Sequence, residues 1–180
     1  MAEFVLFCVP TAVYLFLQTR GDRRDVASTM KRAGLSWGSP SAYLWAASLL
    51  IPLVLLGWLA ITCVPQEVLR APGVSIAQVT SVSAGIGVLL RAVGEEIFFR
   101  GLLGEALVRK VGFGWGNVFQ ALLFLIPHLA LLLVDPRLWP LLPVQFAAGW
   151  LLGWLRHRAG SFLPGAAAHA LANITAGVFA

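Results

Sequence analysis

Residues 92–101 read AVGEEIFFRG. Three ionisable side chains, those of Glu95, Glu96 and Arg100, interrupt a run that is otherwise apolar on both sides. A charged side chain at the centre of a membrane-spanning helix costs at least about 2.5–3.5 kcal/mol, so such residues usually have a function and a partner. The stretch therefore predicts a polar site that is buried inside an apolar helical fold.

The composition around this stretch is that of a membrane protein. Of the 180 residues, 59% are hydrophobic and 12% are charged, and the mean hydropathy is +0.84. Soluble domains are about 45–50% apolar and about 25% charged. We therefore predict an all-α, polytopic transmembrane helical bundle that forms one domain over residues 1–180. The net charge of +5 does not indicate nucleic-acid binding, because the sequence has no basic stripe with interleaved aromatic residues.

Six apolar segments are long enough, or nearly so, to cross a bilayer, which takes about 20 residues. They cover residues 2–19, 41–64, 76–108, 115–134, 138–155 and 161–180. The third segment is too long for one straight span. It is expected to break at Gly94, to tilt, or to lie partly along the membrane interface.

The basic residues between these segments predict the orientation of the chain. Nine of them lie in alternate connections: Arg20, Arg23, Arg24, Lys31, Arg32, Arg109, Lys110, Arg156 and Arg158. The opposite connections contain only Arg70 and Arg137. Cytoplasmic loops of membrane proteins are enriched in Lys and Arg, so we place the first set in the cytoplasm. The expected location is a multi-pass position in a bacterial inner (plasma) membrane.

Two other apolar segments carry polar side chains at helical spacing. His128 follows Phe124 by four residues and Asn173 follows His169 by four, so each pair shares one helix face. At 1.5 Å per residue, Glu95, His128 and His169 lie about 16–21 Å from the ends of their segments on the basic side. We therefore expect these three side chains to meet at one level.

One carboxylate, two imidazoles and an amide at one level indicate hydrolysis. A carboxylate in a poorly hydrated site can act as a general base toward water, and we predict this role for Glu95. The two histidines would bind a metal that acidifies the water or donate to a developing oxyanion, and the Asn173 amide is a further donor. The Glu96–Arg100 pair is expected to support the site and Phe124 to shape its pocket.

Glu95 also has a purely structural interpretation. It could form an ion pair with Arg91, four residues earlier, that holds the third segment together. Other intramembrane proteases use HExxH, GxSxG or a pair of aspartates within the spans, and the sequence has none of these.

Three motifs occur in the order EExxxR at 95–100, FxxxH at 124–128 and HxxxN at 169–173. In order and spacing they resemble the CPBP family of intramembrane proteases, which includes the type II CAAX prenyl endopeptidases and the bacterial abortive-infection proteins. The resemblance covers residues 92–173 within a motif-bearing core at 84–178. It implies an all-helical membrane fold with the active site in a cavity within the bilayer.

The resemblance also implies a role for each motif residue. Glu95 matches the catalytic base and His128 the histidine that works beside it, while His169 and Asn173 match the pair that stabilises the oxyanion. The Glu96–Arg100 ion pair matches a supporting pair. Whether the family uses zinc or a glutamate alone is disputed, so the expected cofactor is none or zinc, with Glu95, His128 and His169 as the ligands. These three side chains are the fewest that zinc usually takes from a protein, since catalytic sites have three protein ligands and structural sites four.

The expected function is hydrolysis of a peptide bond in a membrane-anchored or hydrophobic C-terminal protein segment. The partners are then the lipid bilayer and a protein substrate, with no nucleic acid. The chain has fewer predicted spans than the larger family members and is similar to the short bacterial myxosortases, which trim C-terminal membrane anchors. Two alternatives remain open. One is a non-catalytic membrane protein, such as a bacteriocin-immunity factor or a scaffold, and the other is a transporter with a carboxylate–histidine relay.

Overall fold

A computed structural model describes residues 2–20, 25–72, 74, 79 and 81–179. These residues form helices, turns and irregular connections and contain no strand, which confirms the predicted all-α bundle. The elements are α1 (Ala2–Arg20), α2 (Val26–Arg32), α3 (Pro40–Thr62), α4 (Gln66–Leu69), α5 (Val82–Glu96), a π-helical segment (Ile97–Gly104), α6 (Glu105–His128), α7 (Leu131–Val134), a 3-10 turn (Pro136–Leu138), α8 (Leu141–Ala159) and α9 (Leu163–Phe179).

Three helical stretches of the described chain are long and apolar enough to cross a membrane. They are Pro40–Thr62, Val82–Val134 and Pro136–Ala159. They contain predicted segments four and five and most of segments two and three. Predicted segments one and six correspond to α1 and α9, of 19 and 17 residues. A total of six crossings therefore stays a prediction.

The 53-residue stretch that begins at Val82 folds back on itself at Gly112. Gly112 has φ 80° and ψ 167°, a left-handed backbone conformation that only glycine adopts easily. After the turn the chain packs against its own earlier part, because the rings of Phe99 and Phe124 lie 5.1 Å apart. The possible break at Gly94 is wrong. Gly94 is buried inside α5, where the absent side chain leaves room for Phe4.

Helix α1 lies beside α5 and the π-helical segment and runs in the same direction. Glu3 is 3.4 Å from Arg91 near the start of this contact. The Phe7 ring is 5.8 Å from the Phe99 ring in its middle. At its far end, Arg109 donates to the Tyr14 hydroxyl at 3.0 Å. The two helices therefore begin at the same end of the bundle, as the alternating orientation requires.

One end of the bundle collects the basic residues. Arg156 donates to the Arg32 carbonyl at 2.6 Å, which joins the end of α8 to the end of α2. Arg109 and Arg156 both approach the Glu105 carboxylate, at 3.7 and 3.8 Å. Two more of the predicted cytoplasmic residues, Arg23 and Arg24, lie outside the described residues. We call this the basic end.

The opposite end of the bundle contains a hydrophobic cluster and an exposed ion pair. The buried members of the cluster are Ile61, Val64, Val68, Leu69 and Leu138. Beside it, Arg137 forms an ion pair with Glu67 at 3.0 Å. Arg137 thus lies at the other end from Arg32, Arg109 and Arg156, as the sequence predicts. Which end faces the cytoplasm stays a prediction.

Candidate active site

The two glutamates of the opening stretch lie where an α-helix changes into a π-helix. Glu95 and Glu96 close α5, and residues Ile97–Gly104 form the π-helical segment, which leads directly into α6. π-Helical turns are rare and occur frequently at functional sites. Gly101 lets this segment approach the loop after α2, because a side chain there would come within 2.9 Å of the Ala33 carbonyl oxygen. The sequence analysis did not predict the π-helical segment.

Glu96 links the π-helical segment to α9. Its Oε1 atom lies 2.9 Å from Arg100 Nη1 and 2.9 Å from His169 Nδ1. All three side chains are buried, and those of Glu96 and Arg100 have no exposed surface. The predicted Glu96–Arg100 ion pair is therefore present. Its carboxylate also fixes an imidazole that is 73 residues away in the sequence.

Glu95 stands between Arg91 and the other nitrogen of the same imidazole. Glu95 Oε1 accepts from Arg91 Nε at 3.0 Å, and Glu95 Oε2 lies 3.7 Å from His169 Nε2. The ion pair with Arg91, which the sequence left as an alternative, is thus formed. It occupies one carboxylate oxygen and leaves the other directed toward His169.

His128 joins the group through Phe124. The Phe124 ring lies 4.9 Å from the His128 ring and 6.0 Å from the His169 ring. The Arg100 guanidinium sits 4.3 Å from the centroid of the same phenyl ring. Phe124 therefore packs at the centre of the group, as predicted for the residue that shapes the site.

The hydrogen bond of His128 fixes its tautomer. His128 Nδ1 lies 2.8 Å from the Phe124 carbonyl oxygen, which can only accept. Nδ1 therefore carries the hydrogen, and in the neutral ring Nε2 presents a lone pair. In the same way, the Glu96 carboxylate requires a hydrogen on His169 Nδ1, so His169 Nε2 donates only when the ring is an imidazolium.

Asn173 stands apart from the contacts that join the other site residues. It is half-buried on α9, one turn after His169 and on the same face. Within the described part of the chain, no hydrogen bond joins it to Glu95, His128 or His169. The structure thus brings together six of the seven predicted site residues, and Asn173 lies outside this group of contacts.

A layer of polar residues behind Arg100 was missed by the sequence analysis. Gln120 Nε2 donates to the Gly149 carbonyl at 2.7 Å and to Asn117 Oδ1 at 3.1 Å. Asn117 Nδ2 donates to the Trp150 carbonyl at 3.0 Å. Both amides are buried and tie α6 to α8. Their spacing of three residues in an apolar helix was the signal that would have found them.

The side chains expected to hold zinc do not form a ligand group in this arrangement. Among the described residues, no three His, Cys, Asp or Glu side chains converge as a metal site would require. As they lie here, Glu95, His128 and His169 do not converge on one point, and the choice between no cofactor and zinc stays a prediction.

Two cavities lie near the basic end rather than at Glu95. One, of about 70 Å³, is bounded on its inner side by Arg100 and Gln120. The other, of about 330 Å³, lies between the start of α3 and the end of α8 and is lined in part by Trp45 and Arg158. Neither of these two cavities is lined by the carboxylate or the histidines of the candidate site.

The comparison with protein families matches residues 77–175 to the type II CAAX prenyl endopeptidase Rce1-like family. The chain belongs to this family. The matched range contains all seven candidate residues and more than half of the chain. Neither the curated proteins nor the solved structures give a match.

Membership in the Rce1-like family has consequences for function and location. It makes the protein a CAAX-type intramembrane endopeptidase in general terms, and therefore a hydrolase. Together with the three long apolar stretches, it also indicates an integral membrane protein whose surroundings are the lipid bilayer. The predicted resemblance to the CPBP proteases is thereby confirmed.

Proposed function

We propose that the protein hydrolyses a peptide bond in a membrane-anchored or hydrophobic C-terminal segment, using water that Glu95 activates. One observation carries this proposal. Glu95 Oε2 and His169 Nε2, from helices far apart in the sequence, lie 3.7 Å apart at a buried position. A carboxylate beside an imidazole in a poorly hydrated site is the pairing that general acid–base catalysis requires.

The proposed reaction proceeds in two steps. Glu95 takes a proton from water, and the resulting hydroxide adds to the carbonyl carbon of the scissile peptide bond. The tetrahedral intermediate carries negative charge on the former carbonyl oxygen. Glu95 then gives its proton to the amide nitrogen, the C–N bond breaks, and the products are a carboxylate and an amine. The lone pair on His128 Nε2 would accept a hydrogen bond from the same water.

The developing oxyanion needs donors, and we assign these to α9. His169 can donate from Nε2 when its ring carries a hydrogen on both nitrogens, with Nδ1 held by the Glu96 carboxylate. The Asn173 amide, one turn further along α9, is the second donor. A preorganised donor of this kind typically contributes about 2.7–4 kcal/mol to lowering the barrier.

No step of this reaction is routed through a metal. We propose a glutamate-dependent protease that is located in a bacterial inner membrane with its basic end in the cytoplasm. The proposed substrates are proteins whose hydrophobic C-terminal anchor is removed after sorting. The oxyanion donors and the base act on the peptide group itself, so the proposal does not depend on which side chains flank the bond.

One observation favours a second candidate, a non-catalytic role as an immunity factor or scaffold. Arg91 neutralises the Glu95 carboxylate at 3.0 Å, as a purely structural ion pair would. In that case Glu95 would only stabilise the contact between α1 and α5, to which Glu3 also contributes at 3.4 Å.

Replacing the proposed base tests both candidates. We expect Glu95→Gln to lower kcat by about 10²–10⁴-fold, the usual contribution of a positioned acid or base. The measurement is cleavage of fluorogenic peptides with apolar C-terminal tails by the protein in liposomes, with and without a chelator. Glu67→Gln is the matched control, because Glu67 is an exposed carboxylate of the opposite end.

The outcomes separate the candidates clearly. Cleavage by Glu67→Gln and not by Glu95→Gln supports the protease, and loss of activity with the chelator would show that a metal takes part. Equal cleavage by the two variants would mean that a contaminating enzyme is measured. If neither variant nor the parent protein cleaves any peptide, the non-catalytic role is favoured.

A further inference from the structure

A small polar cavity lies behind the candidate site, between the π-helical segment, α6 and α8. Its volume is about 70 Å³. Arg100, Asn117, Gln120 and Gly153 line its inner part, and Arg156 and His157 lie at its outer part. Arg100 is shared between this cavity and the candidate site, because its Nη1 atom also contacts Glu96 at 2.9 Å.

The lining residues become steadily more exposed toward the basic end. Arg100, Asn117 and Gln120 are buried, whereas Arg156 is half-buried and His157 is exposed. Arg156 also contacts the Arg32 carbonyl in the loop region of the basic end. The cavity therefore opens toward the basic end and closes at Arg100.

Several polar atoms of the lining have no hydrogen-bond partner among the described residues. They are Arg100 Nε, Arg156 Nε and Gln120 Oε1. Arg100 and Gln120 are each only 1% exposed. A buried polar group without a partner destabilises the fold, and more strongly if it is charged. Atoms of this kind around one cavity indicate a ligand that satisfies them.

The mixture of donors and acceptors identifies the ligand. Two of the three atoms are donors, but Gln120 Oε1 is an acceptor whose orientation is fixed, since its amide nitrogen donates to two oxygens. An anion would accept from the arginines and be repelled by Gln120 Oε1. Water both donates and accepts, and it needs about 30 Å³ per molecule in the liquid. The cavity has room for at least two waters.

We propose that this cavity is a water-binding site that opens at the basic end and hydrates the buried Arg100. Water on the free side of the guanidinium supplies the hydrogen bonds that Glu96 cannot supply. It thereby lowers the cost of keeping the Glu96–Arg100 pair ionised in an apolar surrounding. The water site itself does not rest on the proposed function. Only an effect of the water on cleavage does, because that effect passes through the contact between Glu96 and His169.

Thiol labelling tests the site without any substrate. Gln120→Cys and Phe119→Cys are placed singly in a background with Cys8→Ala and Cys63→Ala, and the protein is embedded in liposomes. The probe is 2-sulfonatoethyl methanethiosulfonate, present on both sides of the membrane. Residues 119 and 120 are adjacent on α6, but Phe119 is 40% exposed on the outside of the bundle and Gln120 lines the cavity.

We expect the cysteine at 120 to react at least about tenfold faster than the one at 119. The reactive species is the thiolate, which forms beside water and arginine and not in contact with lipid. Asn117→Cys lines the same cavity and should react faster than the control at 119 as well. Equal or slower labelling of both cavity positions would overturn the proposal.

Filling the cavity provides a second, independent test. A side chain at Gly153 would collide with Asn117 Oδ1, and Gly153 and Asn117 both line the cavity, so the added methyl group takes up space there. Adding Gly153→Ala to the Gln120→Cys protein should reduce its labelling to the rate seen at 119. Gly57→Ala, with nothing within 4 Å of the new side chain, should leave the rate unchanged. A rate that Gly153→Ala does not lower would contradict the water site.

The two proposals fail in different ways. If the thiols label as expected but Glu95→Gln still cleaves peptides, the water site stands and the assignment of the base is wrong. If Glu95→Gln is inactive but the cavity positions do not label, the hydrolytic site stands and the water site is wrong.

Discussion

His169 connects the two glutamates of the candidate site, because its two nitrogens face two different carboxylates. Glu96 holds Nδ1 at 2.9 Å, and Glu95 lies 3.7 Å from Nε2. The first contact fixes the plane of the ring, and the second leaves the other nitrogen beside the proposed base. The two neighbouring glutamates therefore have different contacts: Glu96 holds one nitrogen of the imidazole, and Glu95, the proposed base, lies beside the other.

Removing one partner of the Glu96–Arg100 pair is expected to destabilise the protein strongly. The pair has no exposed surface, and a buried charge that loses its partner typically costs about 3–5 kcal/mol. Glu96→Leu and Arg100→Met should each lower the free energy of unfolding by this order, and the double variant should be more stable than either. Unfolding in detergent, followed by tryptophan fluorescence, measures all three.

The exposed pair Glu67–Arg137 is the matched control for this cycle. Its distance of 3.0 Å is close to that of the buried pair, but both side chains are more than half exposed. Exposed pairs contribute about 0–1 kcal/mol. A coupling energy for the buried pair as small as that for the exposed pair would show that Glu96 does not stabilise the charge of Arg100.

At the scale of the elements, one hairpin builds most of the site. Helix α5 and the π-helical segment form its first leg, and α6 after Gly112 forms the second. The first leg carries Glu95 and Glu96, and the second carries Phe124 and His128. The turn at Gly112 therefore sets which face of α6 meets the two glutamates.

Gly112→Ala tests this turn. A residue with a side chain is strained at φ 80°, so the variant should lose about 1–2 kcal/mol of stability. Gly114→Ala is the control. It lies two residues away, its new side chain would also meet nothing within 4 Å, and its φ is not positive. In a helix that substitution should be neutral or stabilising by up to about 1 kcal/mol.

Thermal unfolding of the two variants in one detergent gives the comparison. Equal stability would show that the hairpin does not depend on the left-handed conformation of Gly112.

At the scale of the whole molecule, the charge separation predicts how the bundle sits in the membrane. The basic end contains the C-terminal ends of α2 and α8 and the turn at Gly112, and the opposite end contains the Glu67–Arg137 pair. Positively charged ends face the cytoplasm. The candidate water site opens toward that same end.

Cysteine labelling in cells determines the orientation. Cys63 is an exposed native thiol at the opposite end, and Ser28 is exposed on α2 at the basic end. In intact cells an impermeant maleimide should label Cys63. It should label Ser28→Cys in the Cys63→Ala background only after the membrane is inverted or opened. The reverse pattern would place the basic end outside.

The sequence by itself determined the class of the protein and the local geometry of its motifs. Apolar length and composition indicate a helical membrane protein, because such segments satisfy their own backbone in lipid. The Glu96–Arg100 pair and the shared faces of Phe124 with His128 also follow from the sequence, since residues four apart meet on any helix. A single domain over 1–180 with a core at 84–178 stays a prediction.

Only the tertiary structure decided which distant groups touch. The spacing of residues could not show that Glu96, and not Glu95, binds His169 Nδ1, because that contact joins helices 73 residues apart. The π-helical segment could not be predicted for the same reason, because it depends on how the two legs of the hairpin pack against each other. The turn at Gly112 lies in the connection predicted between segments three and four, at residues 109–114. Glycines allow α6 and α8 to approach each other, and the cavity behind Arg100 lies where they do so. Only the packing of these two helices places the buried amides of Asn117 and Gln120 at the cavity.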